Sequence, residues 1–319
     1  MKRKASLSLD LDNQWSYMKT HGDSGWESFP SYLDVVVPRI LSMLEERNLK
    51  ITFFLVGQDA ALEKNHAALR LITDAGHEIG NHSFHHEPWL HLYSDEEVHA
   101  ELQHAEDVIE AATGVRTELF RGPGFSLSPG VLRVLKARNY RFDASTMPTY
   151  LGPLARAYYL RSAKLEGEER EKRAKLFGTW KEGLKPVKPY QWELEAGDML
   201  EIPVTTMPWF KLPFHLSYVL YLSSFSSVVA NLYFRTALRL CRMARFGPSL
   251  LLHPLDFLSA QDVQGLDFFP GMKIPLENKL QRVGHYLDLY AKAFEVLPMG
   301  EFAQSLTQSS YGPLPKRKL

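Results

Sequence analysis

Short apolar runs alternate with amphipathic segments through the first half of the chain, and this order restricts the fold more than any other feature. Residues 5–12 alternate apolar and polar side chains as a strand does, residues 32–47 have helical spacing, and residues 50–57 form an apolar run. The order continues with helices over 59–76, 94–114 and about 128–138, and with strand-like runs at 77–82, before Arg121 and at 140–145. Strands interleaved with helices predict a mostly parallel sheet, either open or closed into a barrel.

Ionisable side chains stand at the ends of these strand-like runs. In a parallel (β/α) fold the carboxyl ends of the strands meet at one edge, where functional side chains gather. A turn, a cap or an ion pair explains any one of these residues, but their joint occurrence predicts a single site. The residues are Asp10, Asp12, His82, His86, Arg121, Asp143 and His253.

The stretch NHSFHH at 81–86 holds three histidines and suggests part of a metal site. A histidine crowd can also be an incidental surface turn, so a further ligand has to come from elsewhere in the chain. The single cysteine, Cys241, excludes an intrachain disulfide and a cysteine-rich zinc site. Any metal must therefore use histidine and carboxylate ligands.

The charge balance and the N-terminal residues indicate which classes of partner and which cellular compartment to expect. Lys and Arg together number 37, as do Asp and Glu, so no global field attracts nucleic acid. The opening residues MKRKASLSLDLDNQW reach acidic side chains too soon to leave the apolar core of a signal peptide. We expect a cytoplasmic protein, with the inner face of the membrane as a further location.

Five short motifs resemble, in the same order, those of the polysaccharide deacetylase family, also called the NodB-homology domain. They are SLDLDN at 8–13, HSFHH at 82–86, RGPGF at 121–125, YRFDAS at 140–145 and LLH at 251–253. The members are metal-dependent carbohydrate N-deacetylases with a distorted (β/α) barrel. The resemblance implies that α/β fold, with one catalytic domain over residues 1–319 and a helical insertion before the last motif.

The resemblance also implies a metal site made of Asp12, His82 and His86. Two imidazoles and one carboxylate leave positions open for water and substrate, as a catalytic site needs. Zn²⁺ suits this ligand set best, although Co²⁺, Ni²⁺ or Fe²⁺ accept the same groups. His85 is an alternative ligand, but the four-residue spacing of the motif favours His86.

The resemblance implies catalytic roles for the other motif residues. Asp10 would be the general base, Arg121 with Asp143 would keep it oriented and ionised, and His253 would protonate the departing amine. Further roles fall on three residues: Gly124 and Phe125 at the oxyanion and substrate pocket, and Ser83 as a support for the ligands.

Two departures from the family pattern affect the substrate. A leucine separates Asp10 from Asp12, whereas the family often has adjacent aspartates; on a strand this spacing keeps both on one face. The same form resembles allantoinase-like relatives, so a cyclic amide or ureide hydrolase is an alternative, and a non-catalytic glycan-binding protein is another. Gly124 stands where an aromatic residue is usual and indicates a differently shaped sugar pocket.

Residues 151–247 are the least family-like part of the chain. They include a charged stretch at 160–185, for which we predict a solvated helix and loop. Residues 212–234 lack Asp, Glu, Lys and Arg and are long enough to span a bilayer, but a single crossing would separate His253 from Asp10. Three interpretations remain for the segment: a helix packed on the barrel, an oligomer interface, or a membrane-surface element at 208–245 that presents the site to a lipid-linked N-acetylated sugar.

The remaining elements are simpler to predict. Strands are expected at 199–206 and 248–254, and an amphipathic helix at 275–295. The tail at 313–319 is expected to be disordered, and the oligomeric state cannot be predicted from these patterns.

Overall fold

The computed structural model describes residues 2–154, 157, 179–308 and 313–318. Its centre is one mostly parallel sheet with the strand order β10-β6-β7-β5-β4-β3-β2-β1-β8, and β9 also pairs with β1. The strands are β1 Lys4–Asp10, β2 Thr52–Leu55, β3 Glu78–Asn81, β4 Leu119–Phe120, β5 Phe142–Asp143, β6 Tyr190–Glu193, β7 Met199–Glu201, β8 Ser249–Leu252, β9 Glu295–Leu297 and β10 Lys316–Lys318. The predicted mostly parallel sheet is confirmed.

Helices surround this sheet and follow most of the sequence-based boundaries. The described helices are α1 Gln14–His21, α2 Leu33–Glu45, α3 Gly57–Ala60, α4 Glu63–Asp74, α5 Asp95–Thr113, α6 Pro129–Ala137, α7 Leu216–Phe225, α8 Ser227–Met243, α9 Leu276–Ala293 and α10 Met299–Gln308. The helix predicted over 59–76 is wrong as one element: it is two helices, because Leu62 takes an extended conformation between them.

The sheet curves into a distorted barrel that the segment after β7 helps to close. The backbone N–H of Thr205 donates to the Ser249 carbonyl over 3.0 Å, and the N–H of Ser249 donates to the Thr205 hydroxyl over 2.8 Å. Residues just past β7 are thereby tied to β8, at the opposite end of the strand order. The predicted distorted barrel is therefore confirmed.

β1 organises the molecule because it pairs in parallel with three strands, β2, β8 and β9. Side chains alternate between the two faces of a strand. Leu7 and Leu9 belong to the large apolar core, whereas Ser8 and Asp10 both contact the side chain of Arg121. One face of β1 thus builds the core, and the other carries polar groups toward the functional edge.

The segment at 179–247 adds both strands and helices to this architecture. It contributes β6 and β7 to the sheet, followed by α7 and α8, which meet at Ser226. The side chain of Ser226 caps α8 by accepting the N–H of Val229, so the uncharged run is two helices rather than one. Among the described helices, none has the length and apolarity needed to cross a bilayer. Most of the charged stretch predicted as a solvated helix lies outside the described residues.

The prediction of a disordered tail is wrong for residues 316–318. They form β10, which pairs in parallel with β6, and the N–H of Gln191 donates to the Pro315 carbonyl over 2.9 Å. The sequence pattern is polar and rich in Lys and Pro, but β6 would otherwise be an edge strand with unpaired backbone groups. Pairing with that edge orders the tail.

Candidate metal centre and active site

Asp12, His82 and His86 converge at the carboxyl edge of the sheet. The Oδ1 atom of Asp12 lies 2.9 Å from Nε2 of His86 and 3.4 Å from Nε2 of His82. One ligand atom from each of the three residues lies within 4.8 Å of the others. Asp12 follows β1, whereas the histidines follow β3 and its turn, so two separate chain segments build the cluster.

The donor set fits a divalent metal. Metal–nitrogen bonds of about 2 Å in a tetrahedral site place neighbouring ligand atoms roughly 3.3 Å apart, close to the separations found here. The Nδ1 of His82 lies 2.6 Å from the carbonyl of Arg121; by donating there it directs Nε2 toward Asp12. The Nδ1 of His86 is buried and has no hydrogen-bond partner among the described residues.

The electrostatics also suit a cation at this position. Burial opposes ionisation of Asp12, but the charges and hydrogen bonds of His86 and His82 outweigh it and hold the Asp12 pKa well below its usual range. Burial likewise lowers the pKa of His82, yet Asp10 and Asp12 outweigh that effect and raise it. Negative charge is therefore concentrated around the histidine rings.

His85 points away from this cluster. Its Nδ1 lies 2.6 Å from a carboxylate oxygen of Glu101, and its side chain is 54% exposed. The other carboxylate oxygen of Glu101 accepts the backbone N–H groups of Phe84 and His85. His85 thus helps to fix the turn, and the structure brings His86 rather than His85 to Asp12.

The turn that carries the histidines has an unusual backbone. Ser83 and His86 have φ values of 64° and 54°, a region that non-glycine residues seldom occupy. The hydroxyl of Ser83 accepts the N–H of His86 over 3.1 Å, and the side chain of Asn81 accepts the N–H of Ser83 over 2.8 Å. Ser83 is therefore placed where a supporting residue would be needed.

Asp10 and Arg121 form a fully buried ion pair beside the cluster. Nη1 of Arg121 donates to Asp10 over 2.6 Å and to the Ser8 hydroxyl over 3.0 Å, while Nε donates to the carbonyl of Ala144 over 3.0 Å. The guanidinium also lies over the ring of Phe54, 4.4 Å from its centre. This arrangement fixes both the position and the charged environment of the Asp10 carboxylate.

Asp143 has different partners. It accepts the Ser145 hydroxyl, and Ser145 in turn accepts the backbone N–H of Gly122 over 2.7 Å. Its carboxyl group also shares a hydrogen bond with Glu201, and burial together with the charge of Asp143 holds the Glu201 pKa well above its usual range. The hydrogen bonds of Asp143 and Ser145 connect this strand end to the loop after Arg121.

His253 lies at the end of β8 and faces the first turn of α7. The hydroxyl of Ser217 lies 3.0 Å from its Nδ1, and its backbone N–H donates to Asp256 over 2.9 Å. The ring of His215 packs edge-on against it, with ring centres 6.1 Å apart. Burial raises the pKa of Asp256 despite the opposing effect of His253.

The predicted pocket residues, Gly124 and Phe125, lie in the turn that follows Arg121. Gly124 has φ 57° and is exposed, and a side chain there would meet Pro88. Phe125 is half-buried with φ 61°, and its N–H donates to the Gly122 carbonyl over 3.0 Å. The amide of Phe125 is therefore occupied, which leaves the oxyanion role of the Gly124 region as a prediction.

Comparison with known proteins agrees with these motifs. Residues 22–142 match the family model described as polysaccharide deacetylase. This part of the chain is similar to the polysaccharide deacetylase family. It is 30% identical over 103 residues to a peptidoglycan-N-acetylglucosamine deacetylase of Bacillus cereus, a match covering 32% of this chain and 36% of that protein. It is 30% identical over 111 residues to the peptidoglycan-N-acetylmuramic acid deacetylase PdaA of Bacillus subtilis, covering 34% and 41% of the two chains.

The fold is shared over a longer span than the sequence similarity. The crystal structure of a candidate polysaccharide deacetylase from Mycobacterium smegmatis aligns with a TM-score of 0.64 at 19% identity, covering 98% of this chain and 93% of that one. By sequence, the chain spans less than half the length of the curated relatives named above. The motifs at 82–86 and 121–125 lie inside the matched residues 22–142 and the one at 140–145 begins there, whereas those at 8–13 and 251–253 lie outside them.

Several residues at this candidate site were missed by the sequence motifs. The buried hydroxyl of Tyr17 lies near Asp12, and burial together with the charge of Asp12 raises the Tyr17 pKa well above its usual range. The hydroxyl of Tyr32 donates to the Asp12 carbonyl over 2.6 Å. Ser217 and His215 reach His253 from α7 and the residue before it. None of these belongs to a short motif, so only the packing of the helices reveals them.

His215 predicts a measurable dependence of stability on pH. Burial and the neighbouring His253 lower the pKa of His215 to about 3. Below about pH 6.5 this histidine therefore takes up a proton in the unfolded chain but not in the folded chain. We expect wild type to lose about 2 kcal/mol more stability than His215→Gln between pH 7.5 and pH 5. Urea unfolding at both pH values measures this difference. His99→Gln, at an exposed histidine, is the control, and an unchanged pH dependence in His215→Gln would contradict the assignment.

Proposed function

We propose that this protein is a metal-dependent hydrolase that removes the acetyl group from an N-acetylated amino sugar. The observation that carries the proposal is the convergence of Asp12, His82 and His86 beside the buried Asp10–Arg121 pair. The family match and the printed activities of its peptidoglycan deacetylase relatives support the substrate class. A binding protein would need neither a base held by an arginine nor a histidine acid.

Asp12, His82 and His86 would hold the metal. When bound, a divalent ion of the Zn²⁺ type lowers the pKa of water and polarises the amide carbonyl. Zn²⁺ suits two imidazoles and a carboxylate, and Co²⁺, Ni²⁺ and Fe²⁺ are the other ions to be tested. His82 is oriented for this role by its bond to the Arg121 carbonyl, and His86 is fixed through its backbone bond to Ser83.

The remaining residues handle protons and charge. Asp10 accepts a proton from the attacking water, and its hydrogen bond with the guanidinium of Arg121 holds its carboxylate in place. As the C–N bond breaks, His253 gives a proton to the leaving nitrogen, so that the products are acetate and a free amino sugar. Ser217 holds the ring of His253 by its Nδ1 and leaves Nε2 for that transfer.

A narrower proposal concerns where the sugar is found. A sugar attached to a carrier lipid on the inner face of the membrane would suit a cytoplasmic protein that contacts the bilayer through residues 208–245. The support is the uncharged segment at 212–234, which the structure divides into α7 and α8 next to His253. Acetate release from lipid-linked compared with soluble N-acetylated sugars tests this narrower step.

Neighbouring histidines provide a matched test of the metal site. We expect purified wild type and His85→Ala to carry about one divalent metal per chain. His86→Ala should carry little, because His86 faces Asp12 whereas His85 faces Glu101. Elemental analysis measures the stoichiometry, and acetate release from N-acetylglucosamine oligosaccharides measures activity. Chelation should abolish activity in the wild type, and added Zn²⁺ or Co²⁺ should restore it.

The alternatives give different results in the same assays. Turnover of a cyclic ureide without acetate release would indicate the allantoinase-like activity instead. Failure of the wild type to bind metal or to hydrolyse either substrate would support a non-catalytic glycan-binding protein. Equal metal content in His85→Ala and His86→Ala would refute the ligand assignment.

A further inference from the structure

Exposed apolar side chains are concentrated in one part of the chain. Among the described residues, all but Leu92 of the large apolar side chains that are more than half exposed lie between residues 154 and 243. Isolated exposed apolar residues are normal, but contiguous ones mark an interaction surface. The segment around α7 and α8 therefore differs from the rest of the described chain in its exposed apolar surface, as well as in its lack of similarity to the family.

Four of these side chains form a continuous face at the junction of α7 and α8. Phe225, Val228, Val229 and Leu232 are 75%, 76%, 57% and 62% exposed. Val228, Val229 and Leu232 lie on one side of α8 by their spacing of three and four residues, and Phe225 is the last residue of α7, two residues before α8 begins. The opposite side of α8 is buried through Ala230, Phe234, Ala237, Leu238 and Cys241, so the exposed face is not part of the core. We call these four residues the apolar face of α8.

The charged residues of the segment that carries this face all have one sign. From residue 202 to residue 255 the chain contains no Asp or Glu, although it contains Lys211, Arg235, Arg239, Arg242 and Arg245. The last four of these are exposed. In a chain with no net charge, such a segment is a local basic surface that attracts anions.

The basic surface continues onto neighbouring elements. Arg242 lines an open cavity of about 510 Å³ together with Lys2, Arg3, Lys292 and Ala293. Four cationic side chains around one cavity fit phosphate-bearing headgroups better than neutral ligands. Helix α8 therefore presents an apolar face in its first half and cationic groups in its second half.

This surface is connected to the candidate active site through α7. The residue before α7, His215, packs on His253, and Ser217 in its first turn bonds to the same ring. Helix α7 then runs ten residues, or about 15 Å, to Phe225 at the start of the apolar face. A partner surface that binds α8 would thus lie close to His253 in the candidate active site.

We propose that the apolar face of α8 and its arginines dock the protein on an anionic lipid bilayer. Shallow insertion of Phe225, Val228 and Leu232 among the acyl chains, with arginines at the phosphate level, is the usual arrangement of an interfacial helix. The inference deepens the proposed function, since its benefit to catalysis rests on a lipid-linked substrate. Vesicle binding itself requires no catalysis and can be measured separately.

Vesicle sedimentation of the full chain tests the docking surface. Wild type is expected to sediment with phosphatidylcholine vesicles containing 30 mol% phosphatidylglycerol, to remain in solution with pure phosphatidylcholine, and to bind more weakly at higher salt. The Val228→Asp/Leu232→Asp variant should lose at least about tenfold in partitioning. The Arg235→Glu/Arg239→Glu variant should lose at least about twentyfold, because each basic residue near an anionic surface contributes roughly fivefold.

Matched substitutions elsewhere serve as controls. Leu71→Asp changes an exposed leucine on α4, and Arg116→Glu reverses an exposed arginine, so both should bind vesicles as the wild type does. Wild type that stays in solution with anionic vesicles at low salt would overturn the proposal. So would a dimer in light scattering that Val228→Asp/Leu232→Asp converts to a monomer without any vesicle binding, since the face would then cover a second copy.

The two proposals fail in distinguishable ways. Vesicle binding without acetate release from any N-acetylated sugar would leave the docking surface intact and remove the proposed function. Acetate release by a protein that does not bind anionic vesicles would leave the proposed function intact and overturn the docking surface. Both α8 variants should retain activity on a soluble N-acetylated oligosaccharide, because none of the substituted residues contacts the candidate site.

Discussion

Asp10→Asn is expected to lower the kcat for acetate release by about two to four orders of magnitude, the usual contribution of a general base. The asparagine keeps the shape of the side chain and can still accept a hydrogen bond from Arg121, so the fold should persist. It cannot accept the proton of the attacking water. Metal content should stay close to that of the wild type, because Asp12, His82 and His86 are unchanged.

The control for this variant is Glu106→Gln. The Glu106 carboxylate is also buried and also lies 2.6 Å from an arginine, Arg138, but it links α5 to the residue after α6 rather than to a candidate metal ligand. We expect Glu106→Gln to lose stability and to keep its kcat, which separates the loss of a buried ion pair from the loss of a base. Asp10→Asn with full metal and a kcat within tenfold of wild type would assign the base to another residue.

Much of the site could be predicted because its residues occur in short motifs at the ends of strands. Asp10 and Asp12 are two residues apart on one strand, and the four-residue spacing of His82 and His86 suits a single tight turn. A resemblance to known motifs therefore carries over to the three-dimensional arrangement of these groups. The parallel order of β1, β2 and β3 was predictable for a similar reason, since the helices between them are amphipathic and well separated.

The parts that could not be predicted depend on contacts between distant segments. Asp59, within α3, accepts hydrogen bonds from Asn13 and Trp15, more than forty residues away. Burial raises the pKa of Asp59 to about 7. No local propensity indicates such a network. The ordering of β10 depends in the same way on an edge strand that is formed about 120 residues earlier in the chain.

The helices around His253 illustrate the same limit. The uncharged run at 212–234 has the composition of a membrane span, and nothing in its pattern shows that Ser217 will reach the ring of His253. The break at Ser226 follows from its side-chain cap on α8, which a single serine in a serine-rich run does not predict. Tertiary packing thus decides which residues of the segment enter the site and which remain on the surface.

Arg121→Met is expected to destabilise the fold by about 3–5 kcal/mol, the cost of removing one partner of a buried ion pair. The arginine side chain is completely buried and bonds to Asp10, Ser8 and the Ala144 carbonyl. Methionine replaces the aliphatic part of the side chain but provides no donors, so Asp10 becomes a buried carboxylate without its counter-charge. Urea unfolding monitored by circular dichroism measures the loss. Arg133→Met, at an exposed arginine paired with Asp95, should change the unfolding free energy little.

A double substitution tests whether the loss comes from the unpaired Asp10 carboxylate. If it does, Arg121→Met combined with Asp10→Leu should recover part of the stability lost in Arg121→Met, because no buried charge then remains without a partner. The double variant should be inactive all the same, since it lacks the base. A double variant no more stable than Arg121→Met would place the energetic role of Arg121 in its bonds to Ser8 and Ala144. In that case Arg121 would stabilise the barrel rather than position Asp10.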